Sequence, residues 1–364
     1  SQPIESTTTP TTTAATVGTV DTQGDAAAAE FTRSLFTRLT AGEPGCTVAV
    51  GRDGKVVFAE AYGAARLDPL EPMTVDTVVD VGSVSKQFTA TAILMLAERG
   101  KVDLDAPLST YLPDLPAWAS RTTIAQLIHH QSGIPDYIRL LLDRGFTETG
   151  SSATIADSLA ALGDVVDLRF APGSSWEYSN SNYFLLSQVV QAVTGDDLPT
   201  FLATEVFEPL GLDMVMDPIA AIDEKAVSYT QVAGQWQIAD SRWETIGSGS
   251  IQTTPSQLVK WATQYWEPTI GASTINAERF DTAVETHQGG VFGAYGAGMF
   301  EADMGSEIGR VILHTGGWAG FATAFYVATE HRVALAVSCN SPTAGGRLRT
   351  TLERDLLTAW ITSD

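Results

Sequence analysis

The chain is poor in the residues that build covalent frameworks and metal sites. Its 364 residues include only two cysteines, Cys46 and Cys339, too few for a disulfide-rich scaffold or a cysteine-rich zinc site. The CxxC, HExxH, EF-hand and GxxxxGK(S/T) motifs, which bind metals or nucleotide phosphates, are also missing. We therefore expect neither a metal nor a cofactor.

Basic residues and long apolar runs are scarce as well. The chain has 21 Lys and Arg against 43 Asp and Glu, a formal net charge of −22. Nucleic acids and anionic membrane surfaces bind basic protein faces, so this balance argues against both as partners. No run of about 18 apolar residues occurs, so we expect no membrane-spanning segment. With only five lysines, a lysine in an unusual position is easy to recognise.

Strand and helix patterns at both ends of the chain predict a shared sheet. Residues 1–24 contain nine threonines and no aromatic residue, so we expect a disordered tail there. A helix is predicted near each terminus, over 25–41 and 347–361. Apolar runs rich in β-branched residues predict strands at 46–50, 56–62, 311–314, 322–328 and 333–339.

Helical patterns dominate the middle of the chain. These helices are predicted over 84–99, 122–130, 154–162, 182–194 and 198–207. The simplest architecture is an α/β (α+β) fold, in which an antiparallel five-stranded sheet carries a helix from each terminus and a mainly helical domain is inserted. We assign 25–82 plus 246–364 to the sheet domain and 83–245 to the helical domain, with the active site in the cleft between them.

One lysine occupies the first turn of a helix that is apolar nearly all round. Lys86 follows Ser83 by three residues, so both side chains lie on one helical face. The helix dipole and burial both disfavour a charged lysine, which lowers its pKa and makes it a useful base. A serine at a helix N-terminus also lies where an anion is stabilised. The alternative interpretation is an N-cap serine beside a solvated lysine.

This segment resembles the active-serine segment of the superfamily of class C β-lactamases, penicillin-binding proteins and serine esterases. The segments that carry the resemblance follow the family's order: Val81-Gly82-Ser83-Val84-Ser85-Lys86-Gln87-Phe88-Thr89, Ala97-Glu98-Arg99-Gly100-Lys101-Val102-Asp103-Leu104-Asp105, Tyr111-Leu112-Pro113, His130-Gln131-Ser132-Gly133-Ile134-Pro135-Asp136-Tyr137, Tyr178-Ser179-Asn180 and His314-Thr315-Gly316-Gly317. Each is weak alone, whereas the whole set is specific. The resemblance implies a β-lactamase/transpeptidase-like fold, in agreement with the architecture above.

The resemblance also implies three catalytic residues. Ser83 is expected to be the acylated nucleophile, and Lys86 to orient and deprotonate it. Tyr178 is expected to act as general base and then to donate a proton to the leaving group. A tyrosine with its ordinary pKa of about 10 is a poor base, so we expect Lys86, together with His314 on the other side, to lower that pKa.

Four residues are implied in substrate binding. Asn180 is expected to hydrogen-bond the substrate amide, and His314 and Thr315 to line the opposite wall. The backbone N–H groups of Ser83 and Gly317 are expected to form the oxyanion hole. Lysine most often begins this last motif, whereas histidine also occurs there in carboxypeptidases, D-residue aminopeptidases and esterases of the superfamily. His314 therefore argues against efficient β-lactam hydrolysis and leaves the acyl-enzyme mechanism intact.

We accordingly predict a serine hydrolase that forms an acyl-enzyme on esters or on amide or peptide bonds of D-amino-acid type. An esterase, a D-alanyl-D-alanine carboxypeptidase and a D-aminopeptidase all fit this description, so the partner is a small-molecule or peptide substrate. The alternatives are a β-lactamase or a penicillin-recognising protein that is acylated without efficient turnover, and an inactive scaffold. No GxSxG motif occurs, which argues against an α/β-hydrolase. The natural substrate and the oligomeric state stay open.

Three smaller predictions concern the cysteines, the histidines and the location. In the implied sheet the first and last strands pair antiparallel, which brings Cys46 beside Cys339, bonded or not. His129, His130 and His331 are interpreted as structural, because a lone histidine outside a cleft is usually a satisfied polar group. We expect an exported protein, secreted or envelope-associated after signal removal. The Thr-rich leader resembles an envelope spacer, with a functionless disordered terminus as the alternative.

Overall fold

The structure is a computed structural model that describes residues 23–271, 274–343 and 352–362. Its α-helices are α1 (Gln23–Phe36), α2 (Lys86–Glu98), α3 (Ile124–Ile128), α4 (Tyr137–Asp143), α5 (Ile155–Gly163), α6 (Asn180–Thr194), α7 (Leu198–Leu202), α8 (Glu208–Leu210), α9 (Pro255–Trp261), α10 (Thr274–Phe280) and α11 (Leu352–Ile361). Its strands are β1 (Cys46–Arg52), β2 (Lys55–Tyr62), β3 (Ala64–Leu67), β4 (Leu70–Pro72), β5 (Val79–Asp80), β6 (Ser152–Ala153), β7 (Val215–Met216), β8 (Tyr229–Val232), β9 (Gln235–Ile238), β10 (Arg242–Trp243), β11 (Ile251–Thr253), β12 (Val284–Glu285), β13 (Ala294–Tyr295), β14 (Phe300–Asp303), β15 (Arg310–Trp318), β16 (Phe321–Ala328) and β17 (Val333–Cys339).

An antiparallel sheet of eight strands forms the centre of the described structure. Its strand order is β12-β13-β14-β15-β16-β17-β1-β2. The five predicted strands are all present as β1, β2, β15, β16 and β17, and the short strands β12, β13 and β14 extend one edge beyond the prediction. Strand β1 pairs with β17 on one side and with β2 on the other. Both ends of the chain therefore contribute to one sheet.

The two cysteines lie directly opposite each other at the junction of the chain ends. Cys46 of β1 pairs with Cys339 of β17, and the two form a disulfide with Cα atoms 4.0 Å apart. The predicted proximity is confirmed, and the open question of a bond is answered.

Helices from both ends of the chain pack together on the sheet, as predicted. The indole N–H of Trp360 in α11 donates to Thr32 Oγ1 of α1 at 3.0 Å, and the Trp360 ring contacts Phe58 of β2. Helix α1 ends at Phe36, five residues before the predicted end. Residues 1–22 of the predicted tail and 347–351 of the last predicted helix lie outside the described residues, and Gln23 already belongs to α1.

The middle of the chain carries the helices that position the site. Helix α2 is buried over nearly its whole length and packs against α6, which explains why its sequence is apolar on every face. Helix α4 and the two-stranded pairings of β8 with β9 and of β6 with β10 lie in segments for which we predicted no secondary structure. Across the described ranges, every helix is too short or too polar to cross a bilayer. The division into a sheet domain and a helical domain stays a prediction.

Candidate active site

Ser83 lies in a tight turn between β5 and α2. The turn is a 3-10 helix, Gly82–Ser85, and it runs directly into α2. The Asp80 carboxylate accepts the backbone N–H of Gly82 at 2.8 Å, and Gly82 adopts a φ of +54°, which favours glycine. Gln252 of β11 holds the other oxygen of Asp80 at 2.9 Å. These contacts fix the backbone on which Ser83 is presented at the start of a helix.

Lys86 is fully buried and makes three hydrogen bonds. Its Nζ lies 2.9 Å from Ser83 Oγ, 2.8 Å from Asn180 Oδ1 and 2.6 Å from the carbonyl oxygen of Ser248. Burial lowers the pKa of Lys86 to about 7, and the Asp136 carboxylate opposes that shift. The amine is therefore partly neutral near pH 7, as predicted for a lysine at the buried start of a helix.

The three partners of Lys86 determine where its lone pair points. Asn180 Oδ1 and the Ser248 carbonyl only accept, so they take two N–H groups of the amine. When Lys86 is neutral, its remaining position is the lone pair, which faces the hydroxyl of Ser83. The neighbouring Ser85 is fully buried, and its hydroxyl accepts the N–H of Ile251 at 3.1 Å. The Lys86 amine thus lies beside the hydroxyl of Ser83 and not beside that of Ser85.

Tyr178 reaches the same hydroxyl from the other side, but its pKa moves opposite to the expectation. Its hydroxyl is hydrogen-bonded to Ser83, and Lys86 Nζ lies 4.9 Å from its ring centroid. Burial raises the pKa of Tyr178 above its ordinary value, against the smaller effect of the Ser83 hydrogen bond. The prediction that Lys86 and His314 lower this pKa is therefore wrong. Near pH 7 Tyr178 is therefore a neutral phenol that can donate or relay a proton, whereas Lys86 is the group that is partly unprotonated and can accept one.

His314 is uncharged in this environment. It is 2% exposed, and burial together with the nearby Lys86 charge lowers its pKa to about 3. Its Nδ1 lies 2.6 Å from the Thr315 carbonyl oxygen, which only accepts, so Nδ1 carries the proton. Its ring centroid lies 6.1 Å from that of Tyr178 and 5.4 Å from that of Phe300. His314 therefore places no positive charge at this end of the site.

Asn180 is held in place by a residue that the sequence analysis did not single out. The Asp136 carboxylate, which also caps α4, accepts both the backbone N–H and the side-chain N–H of Asn180 at 2.8 Å. The amide oxygen of Asn180 is thereby turned towards Lys86. Asp136 belongs to the segment from His130 to Tyr137 that carries the family resemblance, so the sequence contained a signal for its importance. The Ser248 contact uses a backbone carbonyl, which has no sequence signature.

The wall opposite α2 is the end of β15, which approaches the Ser83 turn very closely. A Cβ atom on Gly316 would lie 1.9 Å from the Val81 carbonyl oxygen and 2.9 Å from the Ser83 nitrogen. A Cβ atom on Gly82 would lie 2.7 Å from the Gly317 nitrogen. Only glycines permit this contact, and it brings the backbone N–H groups of Ser83 and Gly317 into one region. The half-buried Thr315 precedes Gly316 and Gly317 on β15.

A cavity of about 430 Å³ opens beside Asn180 and Gly317. Asp136 and Glu148 line it, together with Arg139, whose guanidinium is paired with Asp143 at 2.8 Å. The end of the β15–β16 hairpin, including Trp318, forms another part of the wall. Among the described residues, the lining thus carries two carboxylates and one guanidinium that already has a partner.

Comparison with known proteins decides the family. The model of the Beta-lactamase family matches residues 32–359. The chain belongs to the Beta-lactamase family. It has the fold of that family, and its sequence resemblance to penicillin-binding proteins is confirmed.

Two curated relatives are similar to this chain in sequence, and one solved structure is similar to it in fold. Penicillin-binding protein 4* of Bacillus subtilis is 26% identical over 79% of this chain and 66% of its own length. A D-aminopeptidase of Brucella anthropi is 29% identical over 76% of this chain and 52% of its own length. The chain thus spans about half to two thirds of these relatives. The D-amino acid amidase structure from Ochrobactrum anthropi SV3, in complex with L-phenylalanine amide, superposes with a TM-score of 0.77. It is 22% identical, over 93% of this chain and 98% of that one.

Proposed function

We propose that the protein is a serine hydrolase that forms an acyl-enzyme on Ser83 and acts on amides, peptides or esters of D-amino-acid type. The observation that carries this proposal is the buried Lys86 amine 2.9 Å from Ser83 Oγ, with its other hydrogen bonds taken by fixed acceptors. A buried base that faces a hydroxyl at a helix start activates a nucleophile. The names of relatives such as the D-aminopeptidase support the substrate class.

Acylation follows from the contacts around Ser83. Its oxygen attacks the substrate carbonyl carbon, and its proton passes to neutral Lys86. The negative charge that develops on the carbonyl oxygen is stabilised by the N–H groups of Ser83 and Gly317. When the tetrahedral intermediate collapses, the carbonyl-to-nitrogen or carbonyl-to-oxygen bond breaks. Tyr178 donates a proton to the leaving group and receives the proton that Lys86 holds.

Deacylation repeats these steps with water as the nucleophile. Water attacks the ester carbonyl of the acyl-enzyme and gives a proton to the unit formed by Lys86 and Tyr178. Ser83 then leaves with a proton, and the free acid is released. The same groups serve both half-reactions because each returns to its starting protonation state.

The charges around the cleft favour an acyl group that carries an ammonium. Glu148 lines the cavity together with Asp136, whose oxygens already accept from Ile138 and Asn180. Among the described lining residues the guanidinium, that of Arg139, is paired with Asp143. His314 is neutral, so no cation is fixed there for a substrate carboxylate. An aminopeptidase or amidase activity is therefore favoured over a D-alanyl-D-alanine carboxypeptidase, a β-lactamase or a penicillin-recognising protein, whose substrates present a carboxylate.

Intact-mass spectrometry after incubation with a fluorophosphonate tests the nucleophile. We expect the wild-type protein and Ser85→Ala to gain one label, which peptide mapping assigns to Ser83, and Ser83→Ala to stay unlabelled while keeping its melting temperature. A label on Ser83→Ala, or a label mapped to Ser85, would overturn the assignment.

A substrate panel tests the specificity. It contains the nitroanilides of D-alanine, L-alanine and N-acetyl-D-alanine, a short-chain nitrophenyl ester and a chromogenic cephalosporin. We expect the free D-amino-acid substrate to have a higher kcat/KM than its L and acetylated counterparts, and the ester to be hydrolysed faster than the cephalosporin. A preference for the cephalosporin would favour the β-lactamase alternative.

We further propose that the protein works outside the reducing cytosol, as secreted or envelope-associated proteins do. The buried disulfide between Cys46 and Cys339 supports this, because such bonds persist in oxidising compartments. Alkylation of thiols in denatured, unreduced protein from the native cell tests the proposal. We expect no thiol to react before reduction, and two reactive thiols would contradict it.

A further inference from the structure

His130 lies beneath the proposed catalytic tyrosine, not outside the cleft as the sequence suggested. It is fully buried, and its ring centroid is 4.4 Å from that of Tyr178. Its backbone carbonyl accepts the N–H of Glu177 at 3.0 Å, and its ring Nδ1 accepts the N–H of Ser179 at 3.2 Å. One residue thus contacts the ring of Tyr178 and the backbone on both sides of it.

The hydrogen bonds of His130 fix its tautomer. Nδ1 lies 2.9 Å from the side-chain nitrogen of Asn182. The orientation of that amide is set by Ser132, whose hydroxyl donates to the Asn182 oxygen at 2.6 Å. Nδ1 therefore faces two donors and must be the unprotonated nitrogen, so the neutral ring carries its proton on Nε2. The N–H groups of Ser179 and Asn182 both need this unprotonated nitrogen as their acceptor. A protonated, positively charged ring would offer them an N–H instead.

The start of α6 depends on acceptors from the loop that contains His130. Ser179 is the N-cap of α6, yet its own side chain makes no capping hydrogen bond. The first N–H groups of a helix need partners, and here His130 accepts from Ser179 while Asp136 accepts from Asn180. His130 itself has a φ of +57°, an uncommon conformation that persists where the surroundings require it.

We propose that His130 is a positioning residue that holds the Tyr178 hydroxyl at Ser83, through its ring contact with Tyr178 and its hydrogen bond to Ser179. This inference rests on the proposed function, because it assigns His130 a part in a reaction at Ser83. It differs from a general stabilising role, since its effect on turnover must pass through the Tyr178 hydroxyl.

Two substitutions separate the parts of this contact. His130→Phe keeps a ring and removes the acceptor, whereas His130→Asn keeps an acceptor at the Nδ1 position and tolerates a positive φ but removes the ring. With a nitrophenyl ester, we expect His130→Phe to lower kcat about 10- to 100-fold, the loss that a displacement of about 1 Å produces, with little change in KM. His130→Asn should recover part of that loss. His129→Asn is the matched control, because His129 bonds to the Ala125 carbonyl and Thr282 and should keep wild-type kcat.

A double-mutant cycle with Tyr178→Phe decides whether His130 acts through the tyrosine. In the Tyr178→Phe background, we expect either His130 substitution to change kcat by less than about threefold, since the hydroxyl that it positions is gone. An undiminished loss in that background, or wild-type kcat in both single variants, overturns the inference. If His130→Phe does not fold, the His130→Asn cycle gives the same decision. A wild-type protein that takes no fluorophosphonate label at Ser83 instead contradicts the proposed function.

Discussion

The protonation state of Lys86 links burial to chemistry at the residue scale. An ammonium that is removed from water loses hydration energy, and its pKa falls to about 7. Three oxygen partners keep the amine in place in either protonation state. Tyr178, whose pKa is raised, stays protonated beside it. In the proposed mechanism, proton transfer from Ser83 therefore begins at the lysine, and the tyrosine passes protons to and from the leaving group.

The rate of acylation should follow the titration of Lys86. The neutral amine is the active form, so kcat/KM for a nitrophenyl ester rises about tenfold per pH unit below pH 7 and levels off above it. Asp136→Asn removes a carboxylate that raises the pKa of Lys86, so the rise should move to lower pH. Wild-type and Asp136→Asn profiles from pH 5 to 9 check this. An unmoved midpoint would mean that another group titrates.

Lys86 and Tyr178 should behave as one proton-transfer unit. We expect Lys86→Ala and Tyr178→Phe each to lower kcat by several orders of magnitude, and the double variant to be little worse than the poorer single variant. Either substitution interrupts the same proton-transfer pathway, because Lys86 and Tyr178 both contact the Ser83 hydroxyl. Single-turnover rates of the three variants provide the measurement, and losses that multiply would indicate independent roles.

At the scale of elements, the sequence predicts helices and long strands that have a regular apolar pattern. It does not predict short elements or roles that depend on single contacts. Helix α2 was predicted because a buried helix is apolar on every face, and its Ser-x-x-Lys spacing gave Ser83 and Lys86. Short strands such as β12 and the helix α4 carry too few residues for a periodic signal. The roles of Asp136 and His130 depend on partners about 45–50 residues away in the chain, which no local pattern reveals.

The contact between β15 and the Ser83 turn should not tolerate a side chain. We expect Gly316→Ala to force the Val81 carbonyl and the Ser83 nitrogen away from the strand. Loss of one oxyanion donor typically lowers kcat about 10²- to 10³-fold, so a fall of that order is expected. The control is Gly163→Ala, since a Cβ atom there meets nothing within 4 Å and activity should not change. Wild-type kcat in Gly316→Ala would show that this contact does not form the oxyanion hole.

At the scale of the whole molecule, one disulfide joins strands from opposite ends of the chain. Cys46 and Cys339 are 293 residues apart in sequence and directly opposite in the sheet. A cross-link over so long a loop restricts the unfolded chain strongly. The central sheet is thus held at the place where its first and last long strands meet.

Removing that bond should destabilise the fold without disturbing the site. We expect a Cys46→Ala, Cys339→Ala double variant to lose about 2–5 kcal/mol in the free energy of unfolding, with kcat unchanged under native conditions. Urea unfolding curves measure the loss. A reductant should lower the midpoint of the wild-type protein and leave that of the double variant unmoved. Equal midpoints for the two unreduced proteins would contradict the expectation.

The position of β1 between β2 and β17 also determines when the protein can fold during its synthesis. The hairpin of β1 and β2 is made first, and the partner for the other edge of β1 arrives 293 residues later. At about 5–20 residues per second, a ribosome needs about 15–60 s to reach it. Throughout that interval β1 offers a bare row of backbone donors and acceptors to other nascent chains. Release of a polypeptide that stops short of β17 would leave that row unpaired permanently, so aggregation is the expected fate of such chains.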